Sequence, residues 1–173
     1  METRPLVIPL NLIEGVDQGD RPVPGLLALA APPGADAARE KDILLLLPAL
    51  SGPPEQQQGD LTRLSEQFAN CFYQTGGGVM TALRGAMQQL NRQLLRHNQA
   101  DNTERRLFGA AIAAVLREDE LYMLQAGEGY ALIGRSFGLE PVPTQRPESP
   151  APLGSQPAVE MRFFHYWLQA GDT

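Results

Sequence analysis

A run of five consecutive apolar residues, Ile43-Leu44-Leu45-Leu46-Leu47, restricts the possible folds of this chain more than any other feature, because two segments of helical period follow it. A short, uniformly apolar run marks a strand covered on both faces. After a loop of Pro, Gly and Gln, Asp60 stands where an N-cap belongs. Leu61, Leu64, Phe68, Cys71 and Phe72 then recur at helical spacing up to the glycines at 76 to 78. Val79, Leu83, Met87, Leu90 and Leu94 mark a second helix, with Gln88, Gln89, Arg92, Gln93 and Arg96 largely on its other side. A buried strand followed by paired helices needs a layered α+β architecture.

The flanking segments have strand period. Leu6 to Ile13 and Gly25 to Ala31 read as a leading pair of strands. Phe108 to Leu116, Leu121 to Gln125 and Tyr130 to Arg135 read as an antiparallel meander, joined by Arg117-Glu118-Asp119-Glu120 and Gly127-Glu128-Gly129. Residues 136 to 158, rich in Pro, Ser and Gly, read as a surface loop or flap. Val159 to Leu168 returns as an aromatic strand before the turn chemistry of Gly171-Asp172. No repeat of fixed period is present, and residues 1 to 173 are expected to form a single domain.

Composition excludes several functions. With 43% hydrophobic and 20% charged residues the chain can build a core. A net charge of -6 argues against gripping the phosphate backbone of nucleic acid, and the one local basic pair, Arg105-Arg106, reads as a solvated loop. A single cysteine, Cys71, excludes an internal disulfide and every Cys-based zinc spacing, and its place on an apolar helix face reads as a buried thiol. His97 and His165 lie far apart in sequence and read as structural. Gly76-Gly77-Gly78 lacks the Gly-Lys-Ser/Thr of a phosphate loop and reads as an interhelical turn. Met80 and Met87 read as core, whereas the neutral Gln-rich face of the second helix, with Gln56-Gln57-Gln58 nearby, is a candidate docking surface for another helix or a second copy. There is neither a secretory signal nor a stretch of 18 apolar residues, so a cytoplasmic location without membrane insertion is expected.

Local sequence adds a resemblance. Leu107-Phe108-Gly109-Ala110-Ala111, followed by Glu120-Leu121-Tyr122-Met123-Leu124-Gln125-Ala126-Gly127-Glu128, is similar to the Gly-Ser-Thr strand and following hairpin of the PP2C-type (PPM) serine/threonine phosphatases. Leu153-Gly154 is similar to the Leu-Gly pair after that family's flap, and Leu168-Gln169-Ala170-Gly171-Asp172-Thr173 to its Gly-Asp turn. The resemblance spans roughly residues 40 to 173. It implies an αββα sandwich, two antiparallel sheets flanked by helices, cut before the C-terminal Ser-Asp-Gly metal-binding motif of a larger, bacterial-type protein.

In that family aspartates at strand ends hold two Mg²⁺ or Mn²⁺ ions, which acidify a bridging water and clamp the phosphoryl oxygens. The resemblance puts Ser51-Gly52 where the family has Asp-Gly after the central strand, and a serine hydroxyl is not an anionic ligand. The nearest counterpart of the family's early acidic element is Arg39-Glu40-Lys41-Asp42, with Asp42 the ligand most able to survive. Glu128 replaces the aspartate of the following hairpin and reads as an exposed turn residue. Asp172 matches a structural turn. No catalytic residue, resident metal or cofactor is therefore expected, and the chain reads as an inactive, phosphatase-like domain that binds a protein partner or regulates its attached segments. Two alternatives stay open: an active Mg- or Mn-dependent phosphatase when full-length, and an oligomerisation module.

Overall fold

A computed structural model describes residues 12–13, 15–17, 19, 23–51, 54–100, 106–143 and 150–173. The chain begins with a small hairpin, β1 (Leu12–Ile13) and β2 (Val16–Asp17), followed by β3 (Leu27–Ala30), a 3-10 turn at Ala37–Arg39, and β4 (Ile43–Ser51). Helices α1 (Pro54–Tyr73) and α2 (Val79–Ala100) come next, then β5 (Phe108–Arg117), β6 (Glu120–Ala126), β7 (Ala131–Arg135), β8 (Gly138–Val142) and β9 (Met161–Trp167). The expected leading strand at Leu6 to Ile13 lies, up to residue 11, outside the described residues.

Five strands form one antiparallel sheet in the order β3-β4-β5-β6-β9. Side chains alternate across it. Leu44 and Leu46 of β4, Ala111, Ala113 and Val115 of β5, and Leu124 of β6 face the helices and are buried with Phe68, Phe72, Leu83, Met87 and Leu94. Small residues at Ala82, Ala86, Ala111 and Ala113 let α2 lie close on the sheet. Burying each large side chain of this set stabilises by about 1.5–3 kcal/mol, so the helix–sheet interface dominates the fold. Met87 belongs to this core, as its spacing predicts.

The opposite face of the sheet carries a second, smaller cluster in which Met123 packs with Ile133 and Val142, flanked by Phe164 and Tyr166. Ile133 and Val142 come from β7 and β8, which pair with each other, while Gly134 of β7 also exchanges backbone hydrogen bonds with Thr173 at 2.5 and 2.9 Å. Two expectations are corrected here. The third strand of the meander does not continue the main sheet; Gly127, at φ 76°, turns the chain out of its plane, and β9 takes the place beside β6. The segment expected as a loop over 136 to 158 holds strand β8, because Ile133 and Val142 gain burial from the pairing. Residues 144–149 of that segment lie outside the described residues.

Helix α1 also starts seven residues earlier than an N-cap at Asp60 predicts. Proline is favoured in a first turn because its missing N–H has no intrahelical partner there, so Pro54 opens the helix. Asp60 lies inside it, paired with Arg63 at 3.0 Å. Tyr73 closes α1 and joins it to the sheet: its hydroxyl lies 2.5 Å from the Leu29 carbonyl and accepts from the Leu44 N–H at 3.1 Å. Burial pushes the Tyr73 phenol up to about 12.

Candidate functional site

The two positions singled out for a remnant metal site occupy opposite ends of β4. Asp42 immediately precedes the strand and Ser51 is its last residue. At about 3.3 Å per residue they stand about 30 Å apart, so one ion cannot touch both. The physical reason is strand direction. Because β3 runs antiparallel to β4, the residues before β3, not those before β4, come to the Ser51 end; Gly25 indeed packs on Pro48.

At the Ser51 end, the exposed serine hydroxyl donates to the Phe108 carbonyl at 3.0 Å, across the register that pairs the two residues. Gly52 lies outside the described residues. The turn carrying Glu128 comes to this same end: a Cβ on Gly127 would stand 2.7 Å from the Gly109 carbonyl. Gly109 has no room either, since its Cβ would meet the Ala49 carbonyl, and it forms a bridge with Leu153 through both backbone groups. Glu128 itself is exposed.

Two buried asparagines hold this end together, and sequence reasoning missed both. Asn98 accepts from the Leu107 N–H at 2.7 Å and donates to the carbonyls of Leu107 and Gly154 at 2.7 and 2.9 Å. Two helical turns earlier, Asn91 accepts from the Gly154 N–H at 2.8 Å and donates to the Gln156 carbonyl at 3.0 Å. The Leu153-Gly154 pair is thereby fixed on α2. Its legible signal was two asparagines seven residues apart, in phase with Met87 and Leu94 on the apolar stripe.

At the other end, Asp42 is a structural anion. Arg39 reaches its carboxylate at 2.9 Å and Arg117 at 2.6 and 3.0 Å, with Arg39 and Asp42 both buried. Arg39 also bonds the Gly77 carbonyl and lies over the Phe72 ring, while Arg117 bonds the Ala38 carbonyl at 2.6 Å. The hydrogen bond to Asp42 holds the Arg117 guanidinium proton more tightly than usual. One carboxylate thus fastens the 3-10 turn, the start of β4 and the end of β5, and Arg39 extends the cluster to the interhelical turn at Gly77.

The remaining titratable candidates also have partners. His165 stacks on Tyr122 at 4.4 Å, and both contact the Glu120 carboxylate, at 2.8 and 2.5 Å. The Tyr122 hydroxyl is the main cause holding Glu120 below the usual carboxylate range. His97 lines a cleft of about 230 Å³ between α1 and α2 with Asp60, Arg63, Gln67, Gln93 and Arg96. Among the described residues no group of three or more His, Cys, Asp or Glu is placed to hold a metal ion, and no helix is long and apolar enough to cross a membrane.

Asp172 accepts from the Gln169 N–H at 2.8 Å and from Arg135 at 2.6 Å. These bonds, the backbone one first, hold its carboxyl below the usual range. A folded pKa below the unfolded value, about 3.9 for Asp, gives stability that is present above that value and lost as pH falls through the folded one. Asp172→Asn is expected to lower stability at neutral pH and to flatten the acid limb below about pH 4, as read by urea melts across that limb.

No protein-family model matches the chain, and no curated protein matches it. Solved structures do. A bacterial serine phosphatase variant is similar over 88% of this chain and 68% of its own, with a TM-score of 0.65 and 14% identity. The serine/threonine phosphatase Stp1 from Staphylococcus aureus is similar over 97% of this chain and 76% of its own, with a TM-score of 0.57 and 16% identity. The catalytic domain of the serine/threonine phosphatase PstP, solved in complex with two manganese ions, is similar over 95% of this chain and 71% of its own, with a TM-score of 0.60 and 14% identity. The structure is therefore similar, over most of the chain and at low sequence identity, to bacterial PP2C-type phosphatases, as the local sequence resemblance implies.

Proposed function

We propose that this PP2C-like fold is a pseudophosphatase: a cytoplasmic scaffold without metal-dependent hydrolysis that binds a protein partner or regulates the segments attached to it. One observation carries the reading. At the end of β4, where the resemblance places a metal-binding aspartate, stands Ser51, whose hydroxyl is bonded to the Phe108 carbonyl. A two-metal centre needs several anionic oxygens converging within about 2.0–2.6 Å of each ion. The described residues do not fit that need, because Asp42 is neutralised by two arginines about 30 Å away along the strand.

Residues 1 to 173 form one PP2C-like domain, with α1 and α2 as the outer layer on one sheet and the β7–β8 hairpin as part of the second sheet of an αββα sandwich. A charge of -6 favours a protein partner over nucleic acid.

The test is calorimetric titration of the chain with Mn²⁺ and with Mg²⁺, with hydrolysis of an aryl phosphate followed in the same samples. Neither a binding isotherm nor turnover is expected. Ser51→Asp is expected to stay inactive as well, since it restores one carboxylate and no partners for it. Metal-dependent turnover by the full-length protein that carries this chain, abolished by a chelator, would overturn the reading in favour of an active Mg- or Mn-dependent phosphatase.

A further inference from the structure

Strand β9 closes one side of the five-stranded sheet, and among the described residues no strand pairs with its outer edge. The ladder fixes which backbone groups point outward. Glu120 stands opposite Trp167, and one step further in the same register Leu168 donates its N–H to the Asp119 carbonyl at 2.7 Å. That step is a hydrogen-bonded pair, and in an antiparallel ladder such pairs alternate with non-bonded ones. Arg162, Phe164 and Tyr166 therefore direct their backbone groups to β6. Met161, Phe163, His165 and Trp167 direct theirs away from the sheet. Among the described residues only the Trp167 carbonyl of that outward set has a partner, the Arg135 side chain at 3.0 Å.

Edge strands are ordinarily guarded by proline, lysine, a bulge or a covering segment. The seven residues of β9, Met-Arg-Phe-Phe-His-Tyr-Trp, include neither proline nor lysine, and their register against β6 runs without a bulge. None of the seven is fully buried, and Trp167 is 61% exposed. The one formal charge, on Arg162, is paired with Glu160 at 2.7 Å.

We propose that β9 is a self-association edge, through which two copies of this chain pair antiparallel about a two-fold axis and join their sheets. Hydrogen-bond parity permits only registers that set outward-facing residues opposite one another. Of these, the register using the whole strand has its axis at Phe164. In it Phe164 meets its own copy, Arg162 faces Tyr166 of the second copy, Met161 faces Trp167, and Phe163 faces His165. The pairings are guanidinium on ring, thioether on indole and ring on ring, with no like charges opposed. Moving the axis to His165 sets imidazole against imidazole, and moving it to Phe163 leaves Trp167 outside the pairing. This complementarity of one strand with itself favours a second copy over an unrelated peptide. The seam is short, about 24 Å for seven residues, and falls below the area of a standard interface, so the association is weak and concentration-dependent.

Sedimentation equilibrium between about 1 µM and 1 mM, which spans the weak range, reads the stoichiometry. A monomer–dimer equilibrium is expected. His165→Pro removes an outward N–H and leaves the β6 bonds intact, since an edge strand tolerates proline on its open side; it is expected to weaken association at least about tenfold while the circular dichroism spectrum is retained. In a Cys71→Ala background, Phe164→Cys is expected to form a disulfide-linked dimer on oxidation, because a self-facing non-bonded pair brings Cα atoms to about 4.5 Å. Leu139→Cys, on the exposed outer side of β8, is expected not to. A monomer throughout the range, an association unchanged by His165→Pro, or cross-linking no faster at 164 than at 139 would each overturn the proposal.

Discussion

Replacing Asp42 with alanine is expected to destabilise the fold by about 3–5 kcal/mol, a large part of the 5–15 kcal/mol that holds a typical domain folded. The loss comes from what remains. Arg39 is fully buried and would keep its charge without a counter-ion, while Arg117 would lose both of its bonds to the carboxylate. Urea melts monitored by far-UV circular dichroism measure the effect. A loss below about 1 kcal/mol would mean that water reaches Arg39 when the carboxylate is gone. The paired change Arg39→Met with Asp42→Leu is expected to recover much of the stability, because an apolar pair removes the desolvation penalty together with the attraction. If Asp42 were instead a metal ligand, Asp42→Asn would weaken Mn²⁺ binding; with a structural anion the titration is the same before and after the change.

Asn98→Ala is expected to cost about 3 kcal/mol or more, because it leaves a buried N–H and two carbonyls without partners and each such group costs about 1–3 kcal/mol. The groups are the Leu107 N–H and the carbonyls of Leu107 and Gly154. Hydrogen exchange separates this from a general weakening: the Leu107 amide should lose protection well before the amides of α1. Asn98→Asp keeps the acceptor but turns a donor toward two carbonyls into an oxygen, so it should be no better than alanine. A stability change within about 0.5 kcal/mol of wild type would mean that water replaces the amide fully.

Periodicity made the large elements legible. The apolar run at 43–47 became β4, and the stripe through Val79, Leu83, Met87, Leu90 and Leu94 became the buried face of α2, because burial in water imposes those repeats. The aromatic segment Val159 to Leu168 became β9 because aromatic side chains favour the pleated, half-buried surface of a strand. Features set by three-dimensional direction were not legible. Asp42 precedes β4 in sequence, yet the antiparallel course of β3 determines which acidic residues can approach Ser51. Nor does a period-two pattern say which sheet a strand joins, so Tyr130 to Arg135 read as a third strand of the meander although β7 pairs with β8. Asn91 and Asn98 stand among the buried residues of α2, and the loop at 153–157 that they bind shows why polar groups lie there.

The chain has a single tryptophan, Trp167, and it stands 61% exposed on the sheet edge, 5.8 Å from the His165 ring. Indole emission in this molecule therefore reports on the rim and is nearly blind to the core. Melting the helices off the sheet changes the surroundings of Trp167 little, so a fluorescence trace shows a small amplitude where circular dichroism shows a large one. Anything that comes to rest against β9 excludes water from the indole and shifts its emission to shorter wavelength, which gives the edge an optical readout that needs no label.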